Sequence, residues 1–172
     1  MDQPKPHPAD WLSSGLVDGP TTFLLHELLR RSTNAAGSAN AALWLVADNS
    51  LAAVLGFGPH AKHFVGVYEQ PLERGIISLV YVSGQAVCEN AISSNPDHSP
   101  ILDHQLGITS DAMVAVPVIA LGEIVGVITC VHTRPADSSN QASQFSAKDL
   151  HEMEFAAACT GRILDSSLLS TG

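Results

Sequence analysis

Met113-Val-Ala-Val-Pro-Val-Ile119 and Ile124-Val-Gly-Val-Ile-Thr-Cys-Val131 are two β-branched runs joined by Ala120-Leu-Gly-Glu123, which contains the Gly that a tight reversal favours. Together they predict a hairpin. A strand with one face in water alternates apolar and polar residues, whereas these two are apolar at odd and even positions alike. The sheet they belong to must therefore be covered on both sides, most economically by helices. Pro117 has no N–H to give a ladder and predicts an edge position or a bulge. The fold class expected is α/β of the α+β kind: a central antiparallel β-sheet flanked by helices on both faces.

Outward from this hairpin, the chain supplies the rest of such a sheet. Leu43-Trp-Leu-Val46 and Leu51-Ala-Ala-Val-Leu-Gly-Phe57 flank the turn formers Asp48-Asn49-Ser50 and predict a second hairpin. Ile76, Leu79 and Val80 share one helical face in Ile76 to Ser83, with Gly84 where a C-cap belongs. Ala86-Val-Cys88 fits one brief strand, and Asn95-Pro-Asp-His-Ser-Pro100 opens a turn-rich excursion that runs to Asp111. Ser146-Ala-Lys-Asp149 starts a C-terminal helix with a capping-box pattern, and Leu150, Met153, Ala157, Leu164 and Leu168 continue it at helical spacing. At the other end, Pro20 to Arg31 is helical in pattern, and Ala35 to Asn40 reads as a loop. Residues 1–19, with Pro4, Pro6, Pro8, Gly15 and Gly19, read as a flexible tail before a single domain over 20–172.

Composition narrows the function classes. In 172 residues, 45% are apolar and 15% charged, enough to bury one core but not two enzyme domains. Eight Lys and Arg stand against 17 Asp and Glu, a formal charge of −9, so neither nucleic acid nor a membrane surface is an expected partner. Cys88, Cys130 and Cys159 are odd in number and widely spaced, which indicates neither a disulfide framework nor a thiolate zinc site and points to a reducing, cytoplasmic setting. Catalytic signatures are mostly absent. Gly56-Phe-Gly58 reaches Ala61 where a dinucleotide fingerprint needs a third Gly, and His151-Glu-Met-Glu-Phe155 lacks the second His of a zinc-protease helix.

The order Gly75-Ile76, Ser83-Gly-Gln-Ala-Val87, Val116-Pro-Val118 with Gly122-Glu-Ile-Val-Gly-Val127, and Phe145-Ser146 with Asp149-Leu150 resembles the GAF domain family over residues 21–169. The resemblance implies the PAS/GAF architecture and a role as a small-molecule-binding sensory module. Two positions depart from the common pattern: Ser78 stands where many relatives carry a glycine, and Asn90 lies where an Asp often follows the short strand. The residue set of cyclic-nucleotide-binding members is not found, and Asn95 to His104 has no Cys to attach a bilin. The cofactor is left unknown, with neither covalent bilin nor haem nor metal expected.

The resemblance places a pocket between the sheet and the helix 76–83, lined by Val80, Tyr81, Cys88, Met113 and Ala115, with Asp103, His104 and His98 closing it from the excursion, which would act as a lid. Tyr81 is preferred over Trp44 and Tyr68 as the aromatic contact, and His60 and His63 read as solvated loop residues. Cys88 would need a stabilised thiolate to act as a redox sensor, and neighbouring Glu89 disfavours one. Three readings stand at this point: a sensor of a small molecule or anion that signals through its terminal helices; an interaction module with a filled, vestigial pocket; and a thiol redox enzyme or redox or haem sensor. The N- and C-terminal helices each have an apolar face wider than one side of a small sheet covers, which predicts a homodimer sharing them in a helical bundle. A histidine kinase or another signalling protein in trans is the expected recipient, no output domain being expected within these 172 residues.

Overall fold

The computed structural model describes residues 6–140 and 143–170. Helix α1 (Gly19–Ala35) leads into β1 (Asn40–Ala47), β2 (Ser50–Phe57), a short helix α2 (Ala61–Phe64), β3 (Glu69–Pro71), α3 (Ile76–Ser83) and β4 (Val87–Glu89). The short helix α4 (Ile101–Leu106), the long hairpin β5 (Ile108–Ala120) and β6 (Glu123–Pro135), and α5 (Ala147–Leu169) complete the chain. The strands form one six-stranded sheet in the order β3-β2-β1-β6-β5-β4, and every neighbouring pair is antiparallel. Helices cover both faces, as the doubly apolar strands require.

Side-chain alternation assigns the two faces. Ala41, Leu43 and Leu45 of β1, with Val114, Val116 and Val118 of β5, pack against Leu25 and Leu29 of α1 and Met153, Ala157 and Leu164 of α5. The intervening residues Ala42, Trp44, Met113 and Ala115 face the other way, onto Ile76 and Val80 of α3. Gly161 lets α5 lie directly on the sheet, since a Cβ there would sit 2.0 Å from the Ile119 carbonyl oxygen. At the hairpin tip Leu121 and Gly122 both take positive φ, 52° and 80°, the conformation that matches strand twist in a two-residue turn.

Pro117 meets the first of the two alternatives, an unpaired edge, with a register slip following just beyond it. The β4 register ends at Ala115, so β5 has no strand partner on that side at 117, and the β5–β6 register slips between Val118 and Ile119. Gly84 caps α3 in the left-handed conformation, and Ser146 and Asp149 make a reciprocal capping box at α5. α1 runs four residues beyond Arg31, because Ser32 and Thr33 are buried and the Thr33 hydroxyl donates to the Leu29 carbonyl at 2.6 Å. α2, β3 and α4 were not legible in advance: at three to six residues they are too short to show a period.

The tail reading is corrected. Residues 1–5 lie outside the described ones, but Pro8–Asp10 form a 3-10 turn, and Trp11 and Val17 are 6% and 1% exposed within the α1/α5 core. Proline and glycine bar regular structure there; they do not prevent burial of the apolar residues between them. Asp18 then caps α1, its carboxylate accepting from Thr21 N at 2.7 Å.

Candidate functional site

On the sheet face opposite α1 and α5 lies a cavity of about 90 Å³, enclosed by β1, β5 and β6, the start of α3, α2, and the segment 98–110. Its aromatic wall grows from β1. Trp44 is 2% exposed, Phe64 of α2 stacks on it at 5.9 Å, and Tyr68 meets it edge-on at 6.1 Å. Trp44 Nε1 donates to Thr129 Oγ1 at 3.0 Å, a diagonal cross-strand contact, since Trp44 stands opposite Val127 and Ala42 opposite Thr129. Buried indole and hydroxyl thus satisfy one another.

Tyr68 is positioned by Gln70. The phenol donates to Gln70 Oε1 at 3.0 Å, and Gln70 Nε2 donates to the Arg74 carbonyl at 2.7 Å in the turn that enters α3. Ser78, the residue that departs from the family's glycine, is 1% exposed and donates to the Pro71 carbonyl at 2.8 Å, tying α3 to the same turn. Burial, then the charge of Asp103, push the Tyr68 phenol above its ordinary pKa, with Arg74 opposing.

The polar wall centres on Asp103, 8% exposed. Its carboxylate accepts from Ser110 N and Ser110 Oγ, both at 2.8 Å, and from His98 Nε2 at 3.3 Å. Burial alone would raise its pKa, but the bonds from His98 and Ser110 outweigh it and hold the group below the ordinary carboxylate range. Beside it Ser99 also lines the cavity, and its hydroxyl oxygen is buried without a hydrogen-bond partner.

Of the eight residues expected to surround a ligand, Asp103, His98 and Met113 line this cavity. Val80 and Ala115 are fully buried core residues, and Tyr81 sits at the far end of α3, half-buried, where burial and then the charge of Glu123 raise its phenol pKa. Cys88 is on the other face of the sheet, packed on the α1/α5 core with its thiol 4.0 Å from the Phe145 carbonyl. Burial, then Asp149 and Glu89, push that thiol up. His104 is exposed on α4. The cavity lies at the N-terminal end of α3 rather than along its length, which explains the displacement of Val80, Tyr81 and Ala115. His60, expected in solvent, contributes to the lining, while His63 is exposed.

Trp44, Phe64, Tyr68 and Ser99 were not placed at the pocket in advance. Two signals pointed to part of this set: the period-2 alternation that sets Trp44 opposite Leu43 and Leu45, and Thr129, a hydroxyl in an otherwise apolar buried run that must find a partner. Among the described residues no three His, Cys, Asp or Glu side chains converge in a way that could hold a metal ion, and no helix is long and apolar enough to cross a membrane.

The GAF domain family profile matches residues 22–163. Among solved structures, the GAF domain of a phosphoenolpyruvate-protein phosphotransferase from Coxiella burnetii superposes with a TM-score of 0.71 at 14% identity, over 95% of this chain and 94% of that one. A free methionine-R-sulfoxide reductase from Neisseria meningitidis gives 0.64 at 19%, over 95% and 87%. The blue-light-absorbing PixJ GAF domain of Thermosynechococcus elongatus gives 0.66 at 14%, over 88% and 89%. No curated protein sequence matches the chain. At these identities the likeness is one of fold.

Proposed function

This chain belongs to the GAF domain family, and from that premise we propose that it is a sensory module: it binds one small molecule beneath Trp44 and signals occupancy to a partner through α1 and α5, without catalysing a reaction. The observation that carries this reading is the cavity itself. A single water needs roughly 10–15 Å³, so a space of about 90 Å³ beside an unpartnered buried hydroxyl is not one filled by its own side chains. That weighs against a vestigial pocket. The segment 98–110 contributes both a wall and the Asp103 bonds, so a ligand touching it would bias the conformation of that lid.

An enzymatic reading draws on the methionine-R-sulfoxide reductases among the structural neighbours. None of Cys88, Cys130 and Cys159 lines the cavity, so no thiol is available there as a nucleophile, which favours binding alone. The recipient of the signal is a separate signalling protein such as a histidine kinase, and the unpaired thiols suit a cytoplasmic setting.

The test is native mass spectrometry and an absorption spectrum of the purified protein, with hydrogen exchange over residues 95–111 measured in the presence of a metabolite extract. A retained mass, or slowed exchange in this segment, is expected. Trp44→Phe should weaken the effect and Tyr81→Phe should not. No retained mass together with unchanged exchange would overturn the proposal.

A further inference from the structure

Among the described residues neither Lys nor Arg lines the cavity, whereas the Asp103 carboxylate does, with His98, 3.3 Å away, as its one basic neighbour in the wall. A carboxylate offers about four acceptor positions, and Asp103 uses three, two on Ser110 and one on His98. The next residue after His98 presents the buried Ser99 hydroxyl, which has no partner either as acceptor or as donor and can take an N–H from a ligand. Trp44 and Tyr68 line the same cavity, and aromatic rings in a ligand site favour a cation over an anion. An anion would meet a desolvated carboxylate in a protein of charge −9. A neutral donor could hydrogen-bond both groups but would leave the Asp103 charge uncompensated.

We infer that the cavity selects a compact primary ammonium with a short aliphatic body over neutral and anionic molecules of the same shape. This rests on the small-molecule reading above and names its ligand class. The N–H donors of the ammonium meet the free positions on Asp103 and Ser99, while the aliphatic part packs among Ile76, Leu102 and Met113. A cavity of 150 Å³ takes benzene, so about 90 Å³ accommodates about four non-hydrogen atoms, and a slightly longer body displaces the segment 98–110.

The test uses the whole chain and three probes of nearly equal shape: isobutylammonium, isobutanol and isobutyrate, titrated by calorimetry at neutral pH. The amine is expected to bind about 10- to 100-fold more tightly than the alcohol, the span of one charge-assisted hydrogen bond, and isobutyrate to show no binding. Ser99→Ala should keep the melting temperature of the parent protein and weaken the amine about tenfold. Asp103→Asn should bring amine and alcohol to equal affinity; should that variant fail to fold, Ser99→Ala alone decides. Equal or tighter binding of isobutanol, or binding of isobutyrate, overturns the ammonium class and leaves the small-molecule reading standing. Binding of no probe also overturns the ammonium class. The small-molecule reading falls with it only when the native mass spectrum and the extract experiment are blank as well.

Discussion

Asn90 and Phe145 are joined twice: Phe145 N donates to Asn90 Oδ1 at 2.8 Å, and Asn90 Nδ2 donates to the Phe145 carbonyl at 2.9 Å. The amide thereby acts as one rung of a strand, holding the segment before α5 to the residue that follows β4. Only an amide carries both the donor and the acceptor that this bridge uses. In Asn90→Asp a carboxylate oxygen would face the Phe145 carbonyl, and stability should fall by about 1–3 kcal/mol. At this chain length that is a drop of roughly 2–4 °C per kcal/mol, readable by thermal denaturation. An unchanged melting temperature would show that the bridge contributes nothing.

Val125 is 5% exposed and belongs to the core beneath α1 and α5, on the face away from the cavity. Val125→Asp buries a carboxylate without a partner and should cost several kcal/mol against a total of about 5–15. The variant should be insoluble or unfolded by circular dichroism. Val67, 79% exposed, is the control, and Val67→Asp should change stability by no more than about 0.5 kcal/mol.

His132 is buried with its ring stacked at 4.1 Å on Phe145, and burial lowers its pKa, with Asp149 opposing. The neutral ring is favoured in the folded state, so the unfolded chain takes up a proton first as pH falls. Stability from this group is complete above its ordinary value of 6.5 and is lost as pH drops from there through the folded value. Melting temperatures measured between about pH 7.5 and 5 should decline, and His132→Phe should flatten the decline. An identical slope in the variant would assign it to other groups.

Both core-facing thiols should resist alkylation. Burial pushes Cys130 up to about 12, and burial with Asp149 and Glu89 raises Cys88. Mass spectrometry after iodoacetamide treatment of the native protein should find Cys130 unmodified and Cys88 modified more slowly than in the denatured chain. Rapid labelling of Cys88 would return it to consideration as a reactive site.

Phe23 and Leu24 on α1 and Phe155 and Leu169 on α5 are 67%, 52%, 64% and 72% exposed, although the two helices pack on one another over the sheet. A second copy of the chain would cover them. Light scattering at about 50 μM, chosen for a micromolar interface, should give a dimer, and Phe23→Asp combined with Phe155→Asp should give a monomer. A monomeric parent protein would remove the helical bundle from the signalling proposal.

Alternation and capping chemistry made two hairpins of the sheet, its two covered faces and α5 readable from residue order alone. Each rests on contacts a few residues apart: Met113 to Val131 carries its own turn, and Ser146 with Asp149 its own helix start. The same local rules misread residues 11–17 as a tail, since the burial of Trp11 and Val17 depends on α1, α5 and β1 arriving beside them. Of the candidate cavity, the family resemblance pointed to Asp103, His98 and Met113, which line it, and equally to His104, which does not. Which end of α3 is hollow, which face receives Cys88, and that Trp44, Phe64 and Tyr68 form one wall are decided by how strands and helices from five parts of the chain pack, because a cavity is the space that side chains distant in sequence fail to fill.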